Sequence, residues 1–187
     1  MTRISLRPPR SVTYWPASWY SRRKYGVLLD PGAVLGHHPG VLRAQARYEL
    51  AARRWDRAGR QLKDLAMMAA AIRIGCAWCI DFGQWELRTN GIPAEKIGAV
   101  AHWRDRNLFT DTERLTLEYA EAMTATPPEV TDELVARPRT GLTEAQLVEL
   151  TAMIALENVR SRINAAFGLS GQGFADRRGV PTGGRHP

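Results

Sequence analysis

Two cysteines stand three residues apart, Cys76 and Cys79, and they are the only thiols in the 187-residue chain. Both lie in the stretch from Asp64 to Arg88, which reads DLAMMAAAIRIGCAWCIDFGQWELR. Residues at i and i+3 share one side of a helix, so the two sulfurs can approach closely enough to form a disulfide. Gly75 precedes the pair; if it breaks the chain and a new helix starts at Cys76, the free N–H groups of the first turn and the helix dipole favour a thiolate there. That geometry suits redox or nucleophilic chemistry. The bland alternative is that the cysteines pack as small apolar residues beside Ala69, Ala70, Ala71 and Ile72. Zinc fits poorly, because a tetrahedral site needs two more ligands and His37, His38, His102 and His186 are scattered in predicted loops. No metal and no cofactor are expected.

The elements around this stretch read as helices. Val41, Leu42, Ala44, Tyr48, Ala51, Ala52 and Trp55 have the period of an amphipathic helix. A second helix runs from about Gln61 to Gly75 and a third from Cys76 to about Thr89, stopped by Asn90-Gly91. Pro93 opens the next, which ends near Trp103. Thr110 and Glu113 form a capping box, Pro127 and Pro128 close that helix, and Thr131 caps a short one to Ala136. Thr143 and Gln146 open a long run to Gly168. No strand signature has comparable strength, so the fold class is all-α.

The predicted organisation has three parts: an aromatic and basic arm over 1–40, a helical domain over 41–170, and a flexible Gly-, Arg- and Pro-rich tail over 171–187. The arm is punctuated by Pro and Gly and carries Tyr14, Trp15, Trp19, Tyr20 and Tyr25, which are expected to pack on the core or on a neighbouring subunit. The chain carries a net charge of +7, but 23 of its 26 basic residues are Arg spread along its length, with no nucleic-acid motif among them. Anionic substrates remain permitted. Neither a signal peptide nor a membrane span is visible, so a cytoplasmic location is expected, where a cysteine pair is more often catalytic or redox-sensing than structural.

An acidic residue twelve positions before the first cysteine, then C-x-x-C, then a helix, all within Leu62 to Trp85, resembles the carboxymuconolactone decarboxylase and alkyl hydroperoxidase D-like superfamily. In layout the resemblance covers about residues 40 to 170. The pattern of the peroxidase branch is a Glu, eleven residues, Cys, two residues, Cys, three residues and a His. By that resemblance Asp64 stands at the Glu, Cys76 at the resolving cysteine and Cys79 at the peroxide-reactive one. Gly83 stands where the His belongs, and Trp78 occupies the inter-cysteine position that carries a further relay His in the best-known members. The thiols are kept and the proton relay largely is not.

The resemblance implies an alkyl hydroperoxidase D-like helical fold, a homo-oligomer, a thiol reductant and a small hydroperoxide as substrate. The runner-up reading is a lyase acting on a small anionic lactone, and a third is a non-catalytic redox-sensing oligomer. The missing relay directs attention to other acids. Glu86 follows Cys79 by seven residues on the same side, about 10 Å along the axis; its bland role is an exposed charge paired with an Arg. The last helix places Glu149, Glu157, Asn158 and Asn164 among apolar residues, where each needs a partner and some could face the thiols. An internal echo suggests two related helical units. Aligning Leu62 with Leu147 gives six identities in 22 positions, pairs Asp64 with Glu149, and sets Ser161 and Asn164 opposite Cys76 and Cys79.

Overall fold

The computed structural model describes residues 2–137 and 141–177. Those residues are helical or irregular, with no strand among them. In order the helices are α1 (Tyr14–Tyr25), α2 (Asp30–Leu35), α3 (Pro39–Ala52), α4 (Arg60–Ile74), α5 (Ala77–Thr89), α6 (Ala94–Ala99), a 3-10 helix (Val100–Asp105), α7 (Asp111–Thr124), α8 (Asp132–Ala136) and α9 (Glu144–Ala166). The expected all-α class holds. No described helix is long and apolar enough to cross a membrane.

Helix α4 is the hub, packed against α5, α7 and α9. Its sequence explains why: Ala66, Ala69, Ala70 and Ala71 are all buried, and such small side chains let three neighbours approach one axis. Larger apolar groups fill the layer between the helices, with Leu65, Leu117, Leu150 and Ile154 sealed from solvent. Helix starts are fixed locally. The Thr110 and Thr143 hydroxyls accept the Glu113 and Gln146 backbone N–H groups, and both capping boxes close as their sequences require. His38 caps α3 by accepting the Val41 N–H at 3.2 Å, and His37 contacts the Ser5 carbonyl at 2.7 Å, so both act in the loop that enters α3.

The arm over 1–40 contains α1 and α2; Pro16 lies in the first turn of α1, where its missing N–H costs no helical bond. Tyr25 enters the interior with Trp85 and Phe174, whereas Trp15 and Trp19 stay 71% and 59% exposed. The tail expected from residue 171 is folded as far as it is described: Phe174 is fully buried among Tyr25, Phe82, Trp78 and Trp85. Residues 178–187, His186 among them, lie outside the described residues.

Candidate functional site at the start of helix α5

Helix α4 ends at Gly75, whose φ of 76° is the left-handed conformation that favours glycine. Its N–H returns to the Ala71 and Ile72 carbonyls, and the Cys76 N–H to Ala71 at 3.0 Å, so the chain turns sharply. Cys76 then serves as the N-cap of α5, its Sγ accepting the Cys79 N–H at 3.2 Å. The two cysteines are joined by a disulfide, with Cα atoms 5.3 Å apart. This is the helix-start geometry that the sequence predicted, with Cys76 as the cap and the helix itself starting one residue later.

Both sulfurs are enclosed. Cys76 is 1% and Cys79 7% exposed, in a cluster with Val34, Ala71, Trp78 and Leu169. The residues packed against that cluster include Ile4 and Leu6 from the N-terminal segment and Phe167 from the end of α9. The Asn164 side chain reaches in, its Nδ2 donating to Cys79 Sγ at 3.3 Å. Asn164 and Cys79 are opposite positions in the internal echo, which is the signal that could have singled out Asn164 as a site residue. From Asn164 a buried polar row continues down α9, where Ser161 Oγ donates to Glu157 Oε1 at 2.8 Å. Arg160 bridges Glu157 to Glu49 of α3. Burial pushes the Glu157 carboxyl up from its ordinary value, while hydrogen bonds from Arg160 and Gln45 outweigh the burial of Glu49 and hold it low.

The structure does not bring Asp64 to the sulfurs. Its Oδ2 accepts the Asn90 amide at 2.6 Å, and Asn90 ends α5. The eleven residues from Cys79 to Asn90 span about 16 Å of helix. Antiparallel packing across the Gly75 turn carries a residue twelve positions upstream away from the pair. Burial raises the Asp64 carboxyl to about 6, helped by the negative charge of Glu86 and opposed by the Asn90 hydrogen bond. Glu86 therefore serves the Asp64 end of the hairpin rather than the thiols. Glu149 is also elsewhere, paired with Lys63 at 3.0 Å and accepting the Arg57 N–H at 2.8 Å.

Trp78 is at the site, between the cysteines; its ring stacks on Phe82 with centroids 5.0 Å apart, and its Nε1 donates to Gln172 Oε1 at 2.8 Å. Gly83, at the position of the family His, faces Met68 so closely that a Cβ would lie 3.1 Å from Met68 Cε. The place of the missing relay residue is occupied by that methionine. His102 lies in the 3-10 helix, and no group of three metal-ligating residues exists among the described residues.

Known proteins share this architecture. A solved protein from Ralstonia eutropha JMP134, an uncharacterised peroxidase-related protein with an alkylhydroperoxidase AhpD core, superposes with a TM-score of 0.80 at 18% identity, over 93% of this chain and 94% of its own. The debrominase Bmp8, in a cysteine-to-alanine form bound to 2,3,4-tribromopyrrole, gives 0.81 at 17% identity, over 94% and 96%. At those identities the likeness establishes the fold. Sequence goes further: the uncharacterised protein YnjA of Escherichia coli (strain K12) is 34% identical over 164 residues, 85% of this chain and 88% of YnjA. Residues 39–122 match the model of the carboxymuconolactone decarboxylase family. With its helical hub, its C-x-x-C pair at the start of α5 and these relatives, the chain belongs to the carboxymuconolactone decarboxylase family, with an alkyl hydroperoxidase D-like fold.

Proposed function

We propose that Cys76 and Cys79 are a redox pair that reduces small hydroperoxides. The observation that carries this reading is the disulfide at the start of α5, with a hydrogen-bond donor directed at each sulfur: the Cys79 N–H at Cys76 and the Asn164 amide at Cys79. Such donors stabilise a thiolate, and the helix N-terminus adds to the effect. In the reduced protein the Cys79 thiolate attacks the O–O bond. One oxygen leaves as the alcohol after taking a proton, and Cys79 becomes a sulfenic acid. The Cys76 thiolate then attacks that sulfur, closing the disulfide and releasing water once a proton is supplied. An external dithiol returns two electrons and two protons and is itself oxidised. Cys79 takes the attacking role because it is the less buried cysteine and the one whose sulfur is reached by Asn164. The exposed Trp15 and Trp19 of α1 support association with further copies of the chain.

The test is to trap the intermediate. Cys76→Ser treated with one equivalent of an organic hydroperoxide should gain one oxygen at Cys79, detectable by mass and by a sulfenic-acid probe, whereas Cys79→Ser should not. A lyase acting on a small anionic lactone needs neither sulfur. An activity of that kind that survives replacement of both cysteines would displace the redox reading.

A further inference from the structure

Resting on the reading of the pair as reversibly oxidised, we propose that residues 169–175 are a strap whose release admits a reducing thiol, and that Asp81 and Gln172 determine access by latching it. Thiol–disulfide exchange requires an incoming thiolate to reach one sulfur, form a bond to it and expel the other sulfur as a thiolate; a second thiolate of the reductant then breaks the mixed disulfide. With Cys76 1% and Cys79 7% exposed, both buried in an apolar cluster, that approach is obstructed in the folded state.

The strap is held at the first two turns of α5, by Asp81 and Trp78. Asp81 accepts three backbone N–H groups of the strap: Gln172 at 2.7 Å and Phe174 at 3.1 Å on Oδ2, and Ala175 at 2.8 Å on Oδ1. Gly171 allows the close approach, since a Cβ there would lie 3.0 Å from Asp81 Cγ. On the other side Gln172 Oε1 takes the Trp78 indole N–H and the Asp30 N–H, while its amide donates to the Leu28 carbonyl at 3.1 Å. Leu169, at the start of the strap, lies in the apolar cluster of the sulfurs. Arg88 holds the far end by donating to the Ala175 carbonyl. The strap is thus tied by polar contacts to Trp78 and Asp81 of α5, one residue before and two residues after Cys79, and local opening of such a segment costs less than global unfolding.

The experiment follows reduction of the oxidised full-length chain by dithiothreitol, quenched with iodoacetamide and read by mass, alongside amide hydrogen exchange. Wild type should show a reduction rate that saturates with dithiothreitol, limited by opening. Asp81→Asn should raise the plateau by about tenfold or more, the scale of one lost charge-assisted hydrogen bond. Gln172→Ala, the milder change, should raise it less, and protection of the Phe174 and Ala175 amides should fall in step. Freed strap amides with an unchanged reduction rate would overturn the proposal, as would unchanged protection in both variants. Faster reduction in Arg3→Ala alone, which loses the bonds from Arg3 to the Ala165 and Ala166 carbonyls, would assign the cover to the N-terminal segment instead. No peroxide enters the assay, so failure of the hydroperoxide reading leaves its outcome untouched.

Discussion

Asn164 Nδ2 lies 3.3 Å from Cys79 Sγ, and both residues are buried where α5 meets α9. A neutral N–H aimed at a sulfur in an apolar enclosure favours the thiolate over the thiol. Asn164→Leu removes the donor with little change in volume and is expected to raise the Cys79 thiol pKa and slow its alkylation at pH 7 by about tenfold, the scale of one hydrogen bond to a charged group. Asn164→Asp should slow it further, because a carboxylate there repels the thiolate. The pH profile of iodoacetamide labelling in the reduced protein measures both.

Asp64 is expected to affect stability and not the thiols. Its carboxyl is raised from 3.8 to about 6 by burial, so the folded state holds a proton that the unfolded chain has released. The resulting penalty is absent below about pH 4, grows between about pH 4 and 6, and levels off above that at no more than roughly 3 kcal/mol. Asp64→Asn should therefore be stabilised relative to wild type at about pH 7.5 and should lose that advantage at about pH 4, in urea unfolding at the two pH values. Its rate of disulfide formation should match wild type.

Restoring the family histidine meets a packing obstacle. Gly83→His places a Cβ 3.1 Å from Met68 Cε, and Met68 is itself buried. The single variant should lose about 1–3 kcal/mol, the usual cost of overpacking. Gly83→His combined with Met68→Ala should recover part of that loss, so the two changes are non-additive in thermal melts.

Arg160 holds two acids, Glu49 and Glu157, with Glu157 buried. Arg160→Met leaves the buried Glu157 without its cation and Glu49 with only the more distant charge of Arg53, and should cost about 3 kcal/mol. A double change with Glu157→Gln should cost less than the sum, measured by denaturant midpoints.

The helical layout was legible because its signals are local. Capping at Thr110 and Thr143, the break at Gly75 and the apolar period of α3 depend on residues within a few positions of one another. The C-x-x-C pair carried the site for the same reason. Asp64 could not be placed from spacing alone, since spacing carries no geometry: a helix rising about 1.5 Å per residue and then reversing at Gly75 moves that residue away from the sulfurs. Asn164 was legible only as one of several polar residues of the last helix, through the internal echo, and the 169–175 strap was not legible at all, because its meaning lies in contacts with Asp81 over 80 residues away in sequence. The Gly-rich composition that suggested a loose tail is what lets Gly171 lie against Asp81.

The most direct test of the central claim is the second-order rate of disulfide formation when the fully reduced protein meets an organic hydroperoxide, followed by tryptophan fluorescence with Trp78 between the cysteines and confirmed by mass. A rate at least about a hundredfold above that of a free cysteine at the same pH, abolished in Cys79→Ser, is the predicted result, since a thiolate held by two kinds of donor reacts far faster than a thiol. A rate no faster than free cysteine would contradict the account and leave the pair without peroxidase function.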